Sequence, residues 1–148
     1  MDNYIINTDT IAIIGIDRVS SKIIERDREF IINLSSIEII ENSCLYYGSS
    51  LQGRIDAASK IIFNSYKVPI LINNKDNLVF FPTISPSSNQ CIWISINEIY
   101  ELNNNNSLVT IIFKNGSKID TNLSLYSLEN QMCKSYRFSS IMYSRNFS

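Results

Sequence analysis

From Tyr4 to Ile16 the chain is dense in β-branched and apolar residues. Thr8-Asp9 marks a turn or bulge inside the run, and Gly15 and Asp17 close it. Lys22 to Leu34 follows, with Ile23-Ile24 and Phe30-Ile31-Ile32 separated by Glu25-Arg26-Asp27-Arg28. Two apolar runs split by a charged tetrapeptide predict a hairpin with a solvated turn. The pattern then changes period. Ile37, Ile40, Cys44 and Tyr47 recur at helical spacing behind Ser35-x-x-Glu38, which has the form of a capping box, and Gly48 stands where a helix would stop. A second helix is predicted to start after Ser49 or Ser50. It would carry Leu51, Ile55, Ala58 and Ile62 on one face and Gln52, Arg54, Asp56 and Lys60 on the other, ending before Pro69. Gly53 in its first turn weakens it.

The second half returns to short apolar runs. Pro69–Ile72 and Leu78–Phe81 flank Asn73-Asn74-Lys75-Asp76-Asn77, a turn by composition. Pro82–Gln90 reads as a loop, and Cys91–Ser95 as a strand continuing to Leu102, with Asn103–Asn106 as the next turn. Leu108–Lys114 and Ser117–Thr121 flank Asn115-Gly116, the strongest hairpin signal in the chain. Ser124 or Ser127 would cap a last helix bearing Leu128, Met132 and Tyr136. No repeat, heptad array or linker interrupts residues 1–148, so the expectation is a single α+β domain. Its sheet is mostly antiparallel, with two central helices and a C-terminal helix.

Composition narrows the function. Apolar residues make up 45% and charged residues 18%, as in a folded domain. The 27 isoleucines and 18 asparagines point to an A/T-rich genome and say nothing of activity. The start, Met1-Asp2-Asn3-Tyr4, is not basic, and no stretch approaches the ~18 apolar residues of a membrane span. A cytoplasmic protein away from membranes is expected. Three scattered cysteines, Cys44, Cys91 and Cys133, make neither a disulfide framework nor a four-thiolate zinc site. Histidine is absent, which removes Ser-His-Asp and Cys-His pairs and every His-containing metal site. No metal or cofactor is expected.

Net charge is −1 with a pI near 5.4, low for a nucleic-acid binder. The distribution is uneven: residues 1–50 hold four basic and eight acidic side chains, residues 51–148 nine basic and six acidic. After Glu129 come Lys134, Arg137 and Arg145 and no acid. Ordinary surface scatter explains this as well as a modest basic face does. Other motifs weigh toward structure. The four glycines are too dispersed for a phosphate loop. Asp27 and Glu29 sit beside arginines as solvated charge. Trp93, Tyr46 and Tyr47 fit core positions better than base-stacking ones. Ser36–Phe63 has helix–Gly–helix form, for which an ordinary helical hairpin is commoner than a DNA-reading helix-turn-helix.

A more specific signal runs through seven blocks. They are Ser21-Lys22-Ile23-Ile24-Glu25-Arg26-Asp27; Cys44-x-Tyr46-Tyr47-Gly48-Ser49-Ser50-x-x-Gly53-Arg54; Lys67-x-Pro69-Ile70; Phe80-Phe81-Pro82-Thr83; Gln90-Cys91-x-Trp93-Ile94-Ser95; Asn115-Gly116; and Ser127-x-Glu129-Asn130-Gln131. In order and approximate spacing this set resembles the ComK family of bacterial competence transcription factors, over most of the chain.

The resemblance implies an activator of DNA-uptake genes that binds paired A/T-rich promoter boxes, largely through the minor groove, as a homo-oligomer. Such grooves are narrow and strongly negative, and attract inserted Arg or Lys. Arg54 stands at the motif arginine and is the first candidate for that contact. Lys60 and Lys67 follow; the family pattern fixes only Lys67 of these two. RNA polymerase and the adaptor of a regulated protease are the further partners it implies. Longer members carry a basic tail with the adaptor's recognition segment, and nothing comparable lies before Ser148, so poor adaptor recognition is expected. The alternative is a shortened paralogue that modulates a full-length regulator by pairing with it. An enzyme built on Cys44 or Cys91 ranks third, because no base is available to activate the thiol.

Overall fold

The computed structural model describes residues 3–63, 66–106 and 108–147; Met1, Asp2 and Ser148, part of the N-terminal and C-terminal readings above, lie outside them. In chain order the elements are β1 (Thr10–Asp17), β2 (Ser20–Glu25), β3 (Glu29–Ile32), α1 (Ser36–Tyr46), α2 (Leu51–Ile62), β4 (Ile70–Asn73) and β5 (Leu78–Pro82). They continue with β6 (Ile92–Ser95), a 3-10 turn (Ile96–Glu98), β7 (Ile99–Asn105), β8 (Leu108–Phe113), β9 (Lys118–Thr121) and α3 (Leu125–Phe147). The strands form a six-stranded sheet, ordered β3-β2-β1-β6-β5-β4, and a three-stranded sheet, β7-β8-β9. All described pairings are antiparallel. The strand-dominated α+β class read from the sequence holds, with two sheets where one was expected.

The larger sheet is two three-stranded meanders joined along β1 and β6, with Ala12 opposite Ile94, Ile13 opposite Trp93 and Ile14 opposite Ile92. Two close backbones make the seam. The Gly15 N–H donates to the Cys91 carbonyl at 3.1 Å, and a Cβ on Gly15 would lie 2.3 Å from the Asn89 carbonyl oxygen. Glycine is required there because nothing larger fits between the two chains.

Helices α1 and α2 connect the meanders and pack on β1 and β4, while α3 packs on β5. The capping box at α1 forms as expected: Ser35 Oγ accepts from the Glu38 N–H, and the Glu38 carboxylate accepts from the Ser35 N–H at 3.2 Å. Ser50 caps α2 by accepting from the Gly53 N–H, and Gly48 takes the left-handed φ of +99° in the link between the helices. The predicted charged turn at Arg26–Arg28 and the Asn115-Gly116 hairpin are also found, the latter with Gly116 at φ +93°. Trp93 is 1% exposed at the centre of the large sheet, within one continuous core.

Two predicted elements are corrected. Cys91–Leu102 is not one strand: the 3-10 turn breaks it and carries the chain from the large sheet into the small one. Ser95, Ile96 and Glu98 are all buried there, which a strand facing water on one side cannot achieve. The Glu98 carboxylate takes Arg26 at 2.7 Å, and its carbonyl accepts from the Lys114 N–H. Asn103–Asn105 belong to β7, so the turn begins only at Asn106. Asparagine composition signals a turn, but pairing with β8 outweighs it.

A buried polar network fixes the N-terminal segment. The Tyr4 hydroxyl donates to the Glu25 carboxylate and contacts Thr10, while Arg28 Nε donates to the other Glu25 oxygen at 2.6 Å. Burial pushes the Glu25 carboxyl up, but donation from Tyr4 and Arg28 outweighs it and holds the group below its ordinary value. The lowered folded value means this contribution is fully present above the unfolded value near 4.5 and is lost as pH falls through the folded one. Tyr4→Phe should therefore cost about 1.5–3 kcal/mol at neutral pH. It should also make stability fall less steeply below pH ~4.5 than in the parent. Urea unfolding across that range checks this; parallel acid limbs would refute it.

Candidate nucleic-acid interface

The cations of this chain fall into two populations. Three of the four in the N-terminal strands are neutralised: Lys22 pairs with Glu29 at 2.8 Å, Arg26 with Glu98 and Arg28 with Glu25. Among the described residues the other ten have no acidic partner within ion-pair distance: Arg54, Lys60, Lys67, Lys134, Arg137 and Arg145, and also Arg18, Lys75, Lys114 and Lys118.

Four of the first six fall into two pairs along α3: Lys60 with Arg145 where α2 meets α3, and Lys67 with Lys134 at the α2–β4 link. Lys60 and Arg145 stand on either side of a cleft of about 440 Å³ whose apolar walls are Ala57, Ile61, Ile141 and Met142, with Phe63 at 84% exposure beside them. On α3, steps of about 100° per residue place Lys134, Arg137 and Arg145 within a sector of about 80°. Leu128, Gln131, Ser135 and Phe138 of the same helix are buried. Lys67 approaches from the α2–β4 link. Its backbone is left-handed (φ +50°), and its ammonium lies 5.2 Å from the centre of the Tyr66 ring. Gln131 Nε2 holds this link to α3 by donating to the carbonyls of Lys67 and Pro82, both at 2.9 Å. Lys134 Nζ donates to the Tyr66 carbonyl at 3.3 Å. Burial, and then the nearby Lys67 charge, lower the Lys134 ammonium below its ordinary value. The Lys67 charge acting on Lys134 makes this a place where an anion is favoured.

Arg54 is elsewhere. It lies six residues before Lys60, about 9 Å along the helix and a third of a turn around it. Instead of facing outward it is half-buried: Nη1 donates to Asn74 Oδ1 in the β4–β5 turn at 2.9 Å, and Nε is buried without a partner. The Asp56 carboxylate accepts from Gln52 instead. Thus the structure brings Lys60 to Arg145 and Lys67 to Lys134, and leaves Arg54 on a neighbouring surface.

The aromatic and thiol candidates divide similarly. Tyr47 is structural, its hydroxyl donating to the Ile6 carbonyl at 2.8 Å, whereas Tyr46 is 69% exposed, which its expected core placement did not foresee. Cys44 and Cys91 are both fully buried; burial pushes the Cys44 thiol up to about 11 and raises that of Cys91. At neutral pH neither supplies a thiolate nucleophile. Among the described residues no His/Cys/Asp/Glu group could hold a metal, and no helix is long and apolar enough to cross a membrane.

Sequence reasoning noted Lys134, Arg137 and Arg145 only as an acid-free stretch. The meeting of Arg145 with Lys60 and of Lys134 with Lys67 depends on the docking of α3 beside α2 and the α2–β4 link, for which no local pattern exists. The buried Gln131, within the last of the seven blocks, was the available signal, because it ties α3 to the segment carrying Lys67.

Fold and surface together define a strand-dominated α+β domain with a basic, partly apolar seam between two helices. The chain belongs to the ComK protein family, whose profile matches residues 1–146. It is 34% identical over 136 residues to the competence transcription factor of Bacillus subtilis (strain 168), covering 89% of this chain and 71% of that protein. No solved structure gives a significant match.

Proposed function

We propose that this chain is a cytoplasmic transcription regulator that binds A/T-rich double-stranded promoter DNA and activates competence genes. The observation that carries the reading is the set of cations on the α2–α3 seam left without acidic partners, in a chain whose net charge is −1. The name of the Bacillus subtilis relative supports the biological role. Lys60, Lys67, Lys134, Arg137 and Arg145 meet phosphates, and Arg54 reaches the narrow, strongly negative groove of an A/T tract. Paired boxes are matched by a homo-oligomer, because half-site spacing mirrors subunit spacing. RNA polymerase is its further partner, and a protease adaptor recognises it only poorly.

A gel-shift titration on a duplex with paired A/T boxes, against a G/C-rich duplex of equal length, tests the core of this. Tighter binding to the A/T duplex is expected, with at least two chains per paired site by light scattering. Equal or absent binding would refute it. For Arg54→Ala the expected result is a loss of A/T preference worth about 1–3 kcal/mol. Removing the hydrogen bond to Asn74 costs a further ~0.5–1.5 kcal/mol of stability. Asn74→Ala removes the same tether but keeps the guanidinium, so it should lower stability alone. If both variants retain full selectivity, Arg54 is a structural clamp.

A further inference from the structure

Strand β7 carries polar groups that the fold does not use. Asn103, Asn104 and Asn105 are consecutive strand residues, and Asn106 follows in the turn at φ +58°. Asparagine is among the poorer strand formers, so a run of three in a paired strand works against the hairpin that contains it. All four are exposed, and among the described residues none of their carboxamides has a hydrogen-bond partner. The hairpin has other means of closing: Asn105 pairs with Leu108, and Leu102, Val109 and Ile111 anchor it to the core.

The register determines where these amides stand. Leu102 opposes the fully buried Ile111, whereas Asn103 opposes Thr110 and Asn105 opposes Leu108 on the other face. Side chains alternate along a strand, so Asn103 and Asn105 share the outer face at about 6.8 Å spacing. That is two steps of the ~3.4 Å repeat of a nucleic-acid strand. Asn103 to Phe113 contains no charged residue. Two acids and a lysine share the outer face: Asp120 in the cross-strand row of Asn103 and Thr110, and Glu101 and Lys118 in the row of Ile112, further from the tip. Asp120 accepts from Thr110 Oγ1 at 2.6 Å, and Glu101 opposes Ile112. The two acids oppose phosphate lying across the sheet, Lys118 offsets the one in its row, and the uncharged end favours approach by the tip.

We propose that Asn103 and Asn105, on the outer face at the tip of the β7–β8 hairpin, read base edges of A·T pairs in the bound duplex. A carboxamide donates and accepts at once, which suits the acceptor-rich edges of these pairs, and hairpins of this kind are known groove readers. The proposal rests on the DNA-binding reading above and adds a second recognition element, on a different element from Arg54 and the seam cations.

The test is the double variant Asn103→Thr, Asn105→Thr, which removes both outer amides and substitutes a good strand former, so the sheet is retained. Binding is titrated on the A/T-box and G/C-rich duplexes at several salt concentrations. The preference for A/T should fall about tenfold or more, with G/C affinity, salt slope and melting temperature unchanged. Asn104→Thr, on the inner face, should leave the preference intact. A double variant that keeps its full preference, or one that loses affinity for both duplexes equally, would overturn the hairpin assignment while leaving DNA binding standing. A parent protein that binds neither duplex would overturn the DNA reading and this proposal with it.

Discussion

Trp93→Ala should destabilise the domain by about 3–5 kcal/mol, a large part of the ~5–15 kcal/mol that holds a typical domain folded. Trp93 is 1% exposed, sits on β6 between the two meanders and faces Ile13 and Pro82 in register. Truncation leaves a cavity at the seam where neither half can relax without breaking the β1–β6 pairing. A subtler expectation comes from the indole nitrogen, which is buried without a hydrogen-bond partner. Its desolvation already counts against the folded state, so Trp93→Phe removes a liability along with some volume and should cost clearly less than Trp93→Ala. Urea unfolding of both variants checks the order. A stable Trp93→Ala protein that had lost only DNA binding would place the indole at the interface instead of in the core.

Much of this architecture is legible in the chain because local chemistry and tertiary context agree. Ser35-x-x-Glu38, Ser50, Gly48 and Asn115-Gly116 each mark a boundary by a mechanism confined to a few residues. Agreement fails where a buried segment has no period. Ser95, Ile96 and Glu98 are all inside, because the chain is passing between sheets, and nothing in an apolar run announces such a transfer. It fails again at Asn103–Asn105, where cross-strand pairing overrides a composition that otherwise marks turns.

The candidate site is less legible than the fold. Arg54 looks outward on a helical wheel drawn from Leu51, Ile55, Ala58 and Ile62. Yet Asn74, in a turn twenty residues on, captures the guanidinium and leaves Arg54 only partly exposed. The seam needs three elements, α2, the α2–β4 link and α3, to converge. Its charges carry no periodicity, since Lys60, Lys67 and Lys134 are related only by folding. What the sequence does reveal is the asymmetry that makes the seam possible: acids are concentrated where the N-terminal cations already lie, and the C-terminal cations are left without them.

Replacing Lys60, Lys134 and Arg145 together by Ala should change binding more through salt than through sequence. A phosphate that no cation neutralises keeps its counterion, so the slope of log affinity against log salt should become shallower by about 0.9 per residue, or roughly 2.7 in all. At low salt this amounts to a loss of several orders of magnitude in affinity for any duplex. A/T preference should change little, because phosphates carry no base information. Lys134 should contribute most of the three. In the free protein its charge is opposed by burial and by Lys67, and a phosphate between them relieves that repulsion on binding. Lys134→Ala alone should therefore weaken binding more than Lys60→Ala or Arg145→Ala. Folding should tolerate the triple change at a cost of about 0.5–1.5 kcal/mol, since none of the three side chains takes part in an ion pair and only the Lys134 hydrogen bond to the Tyr66 carbonyl is lost. Titrations of the parent, the single and the triple variants over a range of salt concentrations decide it. An unchanged slope in the triple variant would remove the α2–α3 seam from the DNA interface and leave Arg54 and the asparagine hairpin as the surfaces to test.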